Sequence, residues 1–118
     1  MKRGDRIVIL GLALLYAGWA ASPTRAAKPT IPATETTCVA AGGNWASIGL
    51  PGMPKRCDLK ATDADAQCVD SSQCQGTCLA PIDSARGTKA KGKCSPYVSN
   101  FGNLRIIENG KVETLNVE

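Results

Sequence analysis

The sequence has no histidine, and aromatic side chains make up only 4% of its 118 residues. Without histidine, zinc sites with imidazole ligands and haem attachment of the CxxCH type are excluded, and the commonest acid–base catalyst is missing. No two cysteines have the CxxC spacing of thioredoxin-like redox motifs, and there is no glycine-rich phosphate loop. These absences predict a protein that is not an enzyme and that uses no cofactor and no metal.

The first 26 residues are typical of a secretory signal peptide. Lys2, Arg3 and Arg6 form a positive start, and the uncharged run 7–17 is too short to span a bilayer comfortably. Small residues follow it and allow cleavage after Ala20 or after Ala26, whereas the alternative is an uncleaved membrane anchor. We therefore predict an exported protein, periplasmic or secreted, with no membrane span after processing.

All the cysteines follow this segment, and their number is even: Cys38, Cys57, Cys68, Cys74, Cys78 and Cys94. In a short exported chain this pattern indicates three structural disulfides. The run CVDSSQCQGTC, residues 68–78, combines three cysteines with turn-forming residues, which predicts a knuckle of turns pinned by several bridges. Cys38–Cys57 is the one pairing that we prefer, because these two close a loop rich in glycine and proline.

The fold class expected is a small, turn-dominated, disulfide-rich domain over residues 38–118, preceded by an extended leader over 27–37. Thr62 as N-cap, with Asp63 in the first turn, predicts one short helix over about 62–68. Asn109-Gly110 between two apolar runs predicts a C-terminal β-hairpin over about 103–117. A two-residue loop would place Asn103 opposite Asn116 in a non-hydrogen-bonded pair.

Basic residues are concentrated in one loop of a nearly neutral mature chain. Removal of residues 1–26 leaves 14 − 4 = 10 basic and 10 − 1 = 9 acidic side chains, which gives no argument for nucleic acid. Residues 79–93 nevertheless carry Arg86, Lys89, Lys91 and Lys93. We predict that Arg86, Lys89 and Lys91 bind a protein or an acidic surface ligand; the alternative is a loop kept polar for solubility.

Trp45 is the one large aromatic side chain that could anchor a ligand, although a place in a small core is the alternative. The leading functional prediction is thus a disulfide-stabilised binding module. A second is an inhibitor of a trypsin-like protease that presents Arg86 or Lys89 on the loop 79–93. A third is a membrane-active, haemolysin-like protein, for which the mature chain offers no long amphipathic stretch.

The cysteine framework resembles that of small exported cysteine-rich bacterial proteins, most of which lack an assigned function. The similarity runs over residues 38–118 and consists of C-x3-GGxW, a cysteine, C-x-DSSxCxGxC, GxC and the final NGK. Those proteins carry further cysteines at the places of Asn103 and Asn116, so the resemblance implies a hairpin bridge that this chain lacks. CVDSSQCQGTC also looks loosely like the knuckles of whey-acidic-protein inhibitors, but their double-cysteine motif is missing.

Overall fold

The computed structural model describes residues 25–117, which form one short helix, one 3-10 turn and two antiparallel sheets. The elements are α1 (Glu35–Ala40), β1 (Asn44–Ser47), β2 (Lys55–Asp58), β3 (Gln67–Cys68), the 3-10 turn Ser71–Gln73, β4 (Cys78–Leu79), β5 (Gly92–Cys94), β6 (Gly102–Glu108) and β7 (Lys111–Val117). β1 pairs with β2, and the other strands form a sheet in the order β3-β5-β4-β6-β7. The predicted fold class is confirmed.

The C-terminal hairpin has the predicted register. Glu108 pairs with Lys111, and Asn103 lies opposite Asn116, with both asparagines exposed. Asn109 and Gly110 adopt φ angles of 52° and 75°. A two-residue turn whose twist matches the strands needs positive φ at both positions, which asparagine and glycine tolerate. The turn thus sets Ile107 opposite Val112, and both side chains are fully buried.

The short helix is not where the sequence predicted it. It spans Glu35–Ala40 and begins at Thr34, whose hydroxyl accepts the Thr37 N–H. The helix predicted over about 62–68 is wrong in position, because residues 62–65 form turns and Gln67–Cys68 pair with β5. The Asp63 carboxylate does not cap a helix there but accepts the N–H of Gln75 at 2.8 Å.

The leader before the first cysteine is extended up to Thr34, so α1 makes it shorter than the predicted 27–37. It is held against the domain, since the Ala26 N–H donates to the Ser72 carbonyl at 3.0 Å. Lys28 Nζ donates to the carbonyls of Cys74 at 2.8 Å and Gly76 at 2.5 Å. Most of the predicted signal peptide lies outside the described residues, so cleavage after Ala20 or Ala26 stays a prediction.

Three disulfides join Cys38 to Cys57, Cys68 to Cys78, and Cys74 to Cys94. The preferred Cys38–Cys57 pairing is therefore confirmed. The other two bridges are buried beside Ile107 in the five-stranded sheet, while Cys38–Cys57 forms a second cluster with Leu59. Three bridges in so small a chain indicate an oxidising environment outside the cytoplasm.

The segment 68–78 ties the hairpin to the disulfides through two polar side chains. The buried Ser71 hydroxyl donates to the Ile107 carbonyl at 2.8 Å and accepts the Cys78 N–H at 3.1 Å. The Asp70 carboxylate accepts the Ser72 N–H at 2.9 Å and the Gly110 N–H at 3.0 Å. One carboxylate therefore caps the 3-10 turn and also holds the tip of the hairpin.

Asp70→Ala should lower the free energy of unfolding at neutral pH by about 1 kcal/mol, the usual cost of losing a cap. The pKa of Asp70 lies below its ordinary value of 3.8, mainly because the Ser72 N–H donates to it. Since the folded pKa is depressed, this stabilisation is fully present above the unfolded pKa and is lost as pH falls through the folded pKa.

Urea unfolding of both proteins between neutral pH and strongly acidic pH measures this difference. The gap between wild type and Asp70→Ala should be constant above about pH 5 and shrink below the ordinary aspartate pKa. Burial raises the pKa of Asp58, but this contribution is common to both proteins and cancels. A gap of unchanged size in strong acid would show that the Asp70 charge does not stabilise the fold.

Candidate functional site

The basic segment, residues 86–93, is held at both ends by the five-stranded sheet. Near its start, the Gly87 N–H donates to the Val112 carbonyl at 2.7 Å, and the Val112 N–H donates to the Thr88 carbonyl at 2.8 Å. The Arg105 guanidinium donates to the Ser84 carbonyl just before the segment. At its end, the chain enters β5 and reaches the bridged Cys94. The sheet thus fixes the backbone that carries the lysines.

Exposure alternates along the second half of this segment. Lys89, Lys91 and Lys93 are exposed, whereas Ala90 is half-buried and Gly92 is buried. Only Gly92–Cys94 is a strand, in which successive side chains point to opposite faces. Lys91 and Lys93 line one surface groove and Lys89 and Lys91 line a second, and we call these three exposed lysines the lysine row.

Glycine is required at the buried position between Lys91 and Lys93. A Cβ on Gly92 would lie 2.3 Å from the Leu79 carbonyl oxygen, closer than real Cβ contacts allow. Without a side chain at Gly92, β5 can pair with β4, and this pairing sets Lys93 opposite Leu79. The close packing of β5 against β4 at Gly92 thus helps to fix the position of Lys93 on the surface.

Arg86 differs from the lysine row in its electrostatic surroundings. Its Nε lies 3.1 Å from Oε2 of Glu113, in a pair whose side chains are 75% and 40% exposed. Within residues 25–117 this is the only salt bridge, so no described carboxylate lies within 4.0 Å of the amines of the lysine row. Arg86 is partly neutralised inside the protein, while the positive charge of the row is open to an external anion.

Two shallow grooves with apolar walls lie along the lysine row. The first has a volume of about 490 Å³ and includes Leu79, Pro81 and Ile82 together with Lys91 and Lys93. The second has a volume of about 550 Å³ and is formed by Val69, Lys89, Ala90, Lys91 and Gly110. Lys91 lines both grooves, so apolar surface adjoins the positive charges on two sides.

The structure does not bring Trp45 to the basic segment. Trp45 lies on β1 directly opposite Cys57, in the two-stranded sheet, and packs against the cluster of Cys38, Cys57 and Leu59. These contacts support the alternative that Trp45 is a core residue. Its role as a ligand anchor stays a prediction, separate from that of Arg86, Lys89 and Lys91.

Three residues of this surface were not among the predicted binding residues: Val69, Ile82 and Lys93. The alternation of lysine with small residues in KAKGK was a signal for Lys93, because a period of two indicates an extended segment with one polar face. Val69 and Ile82 had no comparable signal, since each is a single apolar residue among turn residues. Only the tertiary structure brings them next to the lysines.

The described cysteines offer no free thiol. The sulfurs of Cys68, Cys74 and Cys94 lie within 4.8 Å of one another and are buried, but each belongs to a disulfide. A metal ligand or nucleophile would have to be a thiolate. In the oxidised protein this cluster is therefore part of the core, in agreement with the structural role predicted for the cysteines.

Comparisons with models of known protein families, with curated proteins and with solved structures find no match to this chain. The resemblance to small exported cysteine-rich bacterial proteins therefore stays a prediction. Within residues 25–117, no helix has the length and apolar character needed to cross a membrane.

Proposed function

We propose that the chain is an exported, disulfide-stabilised binding module without catalysis, periplasmic or secreted, that captures an acidic ligand through its basic segment. The observation that carries the proposal is the lysine row. Lys89, Lys91 and Lys93 are exposed, and no described carboxylate lies within 4.0 Å of their amines, although Asp65 lines the same groove as Lys91 and Lys93. Holding like charges together costs free energy, which an anionic ligand would recover.

The fixed backbone also favours binding over a purely solubilising role. A loop that serves only for solubility needs no defined conformation, whereas this one is bonded to Val112 on β7 and continues into β5. A fixed segment loses little conformational entropy when it binds, so more of the electrostatic attraction remains as affinity. The disulfides beneath it supply rigidity that a core of this size would otherwise lack.

The test is retention of the oxidised protein on immobilised polyphosphate. Changing Arg86, Lys89 and Lys91 together to glutamate should lower the affinity at low salt by about 100-fold or more, because two open positive charges and the partly paired charge of Arg86 become negative. Lys55, Lys60 and Lys111, also exposed, provide a control with the same change of net charge when replaced by glutamate. Equal loss in both variants would show attraction to overall charge and would refute a specific basic segment.

The second candidate is the inhibition of a trypsin-like protease, and the position of Lys89 favours it. Arg86 lies in a tight turn closed by the Thr88 N–H on the Ala85 carbonyl, and its side chain is paired with Glu113. Lys89 is instead exposed in the irregular stretch between this turn and β5. An acidic specificity pocket would therefore meet Lys89 more easily than Arg86.

Incubation of the oxidised protein with trypsin separates these functions. An inhibitor would give saturable inhibition that Lys89→Gln abolishes, with slow or no cleavage after Lys89. Rapid cleavage at Lys89 without inhibition would rule out the inhibitor and leave the anion-binding proposal intact. The third candidate, a membrane-active protein of the haemolysin type, predicts leakage of dye from vesicles.

A further inference from the structure

We infer that the ligand of the basic segment is an anionic lipid surface, on which the lysine row lies while the apolar residues beside it enter the headgroup region. This inference rests on the proposed function and adds the class of ligand to it. Four observations carry it: the exposed Ile82, the apolar groove beside Val69, the absence of described aromatic residues from this face, and the exposed charge of the lysines.

Ile82 is the most exposed large hydrophobic residue of the described chain, at 92% of its surface. It lies in a turn closed by the Ser84 N–H on the Pro81 carbonyl at 3.0 Å. Leu79 and Pro81 line the same groove, together with Lys91 and Lys93. Because its side chain stays in water, Ile82 adds almost no hydrophobic stabilisation to the fold. Binding to a lipid surface would remove this side chain from water.

The other side of the lysine row has the same combination of apolar surface and charge. Val69 is 46% exposed and shares its groove with Ala90, Gly110, Lys89 and Lys91. Long lysine side chains can lay their methylene groups along such surfaces and keep the ammonium group at the level of lipid phosphates. Apolar contacts on both sides of a row of cations suit a headgroup layer better than a small soluble anion.

No aromatic residue of the described chain lines either groove. Among residues 25–117, Trp45 packs in the second cluster, and the Arg56 guanidinium lies 5.4 Å from the centre of the Phe101 ring. Tyr97 lines neither groove. Single-stranded nucleic acids are usually bound by stacking of their bases on aromatic rings. The aliphatic character of this face therefore favours lipid over a single-stranded nucleic acid.

The experiment is co-sedimentation of the full oxidised chain with vesicles made of equal parts phosphatidylcholine and phosphatidylglycerol, compared with phosphatidylcholine alone. Each lysine near an anionic surface contributes about fivefold in affinity, so changing Lys89, Lys91 and Lys93 to glutamine should weaken binding by about 100-fold. Lys55, Lys60 and Lys111 changed to glutamine are the control of equal charge. Added salt should weaken binding of the wild type.

Ile82→Ser tests the lipid specifically. Because Ile82 is exposed, the variant should fold and form its disulfides normally, which intact mass and circular dichroism verify. Its affinity for the anionic vesicles should fall by about tenfold, while its affinity for soluble polyphosphate should equal that of the wild type. Val39→Ser, which removes an exposed valine from α1, is the matched control and should change neither affinity.

Asp65→Asn should raise the affinity for anionic vesicles, whereas Ile82→Ser should lower it. Asp65 lines the first groove and has a φ of 66°, a conformation that asparagine also tolerates. Removing its charge beside Lys91 and Lys93 should strengthen vesicle binding by about fivefold. Unchanged or weaker binding of this variant would contradict contact between the first groove and an anionic surface.

The outcomes separate this inference from the proposed function. Polyphosphate binding that depends on the lysine row, together with equal affinities of Ile82→Ser and wild type for the anionic vesicles, would refute the lipid inference. The anion-binding module would then stand. If neither probe depends on the row, both fail. Vesicles that bind the protein should retain an enclosed dye, and leakage would overturn peripheral docking in favour of the membrane-active alternative.

Discussion

Changing both Cys74 and Cys94 to alanine should lower the free energy of unfolding by about 4 kcal/mol. A bridge that closes a loop of this length contributes about 3 kcal/mol by restricting the unfolded chain, and the two lost buried sulfurs add to the cost. Cys74 and Cys94 are separated by 20 residues, and both are buried against the remaining core of the five-stranded sheet. Small domains are stable by only about 5–15 kcal/mol, so this loss would remove a large part of the free energy of unfolding.

The Cys38–Cys57 bridge provides the matched control. Its sequence separation is 19 residues, so the chain-entropy contribution should be nearly the same. Cys38 and Cys57, however, belong to α1 and β2, whereas Cys94 lies on β5 within the larger sheet. Any difference between the two double variants therefore reports packing around the bridge.

Urea unfolding and amide hydrogen exchange measure the two variants. The Cys38, Cys57 variant should lose protection in α1, β1 and β2 and keep it in the hairpin of β6 and β7. The Cys74, Cys94 variant should lose protection throughout the five-stranded sheet, because Cys94 neighbours both Cys78 and β3. The same pattern of protection in both variants would show that the two clusters are not independent.

The features that were predictable from the sequence are those fixed by neighbouring residues. Asn109-Gly110 determines a turn geometry and through it the whole register of β6 and β7. Cys38–Cys57 was predictable for a similar reason, since the two cysteines bound a single loop. In both examples the contacting residues are close in the chain, and few alternative pairings compete.

The misplaced helix shows where local signals fail. Thr62 and Asp63 are good helix-starting residues, but Gln75 uses both of them: its side chain accepts the Thr62 N–H, and its own N–H donates to Asp63. Cys68, at the end of the predicted helix, is bridged to Cys78 and paired with Gly92 in the sheet. Disulfide and strand pairing are long-range constraints that outweigh helix propensity, which is a weak preference.

The candidate site was only partly predictable for the same physical reason. The concentration of charge in Arg86, Lys89 and Lys91 is a property of composition, and the sequence contains it. The separation of Arg86 from the lysines depends on Glu113, which lies on β7 and becomes a neighbour only after folding. The apolar walls of the two grooves likewise form only after folding, which brings Ile82 and Val69 next to the lysines.

Gly76→Ala should lower the free energy of unfolding by about 3 kcal/mol or more, although the substitution adds a single methyl group. A Cβ at this position would lie 2.3 Å from Ser95 Oγ and 2.3 Å from the Tyr97 carbonyl oxygen. One of these atoms belongs to the backbone, so no side-chain rotation relieves the overlap. Gly76 does not have a positive φ, so glycine is required here for space and not for a left-handed backbone conformation.

The overlap would also disturb a hydrogen-bond network. The Ser95 hydroxyl accepts the Thr77 N–H at 3.0 Å, donates to the Tyr97 carbonyl at 2.8 Å and lies 3.0 Å from the amide nitrogen of Asn100. Displacing it leaves buried groups without partners, each of which costs about 1–3 kcal/mol. The Gly76 carbonyl also accepts Lys28 Nζ, which is one of the bonds that hold the leader, so the attachment of the leader should weaken.

Gly42→Ala is the control, because Gly42 has a φ of 79° but a Cβ at this position would have no atom within 4 Å. It should cost about 1–2 kcal/mol, the penalty of a left-handed conformation for a residue with a Cβ. Urea unfolding should therefore rank Gly76→Ala as the more damaging change, and limited proteolysis should show cleavage in the leader only for that variant. If Gly76→Ala were as stable as Gly42→Ala, β4 and residues 95–97 would be able to move apart. The close contact at Gly76 would then not determine how the segment 68–78 packs.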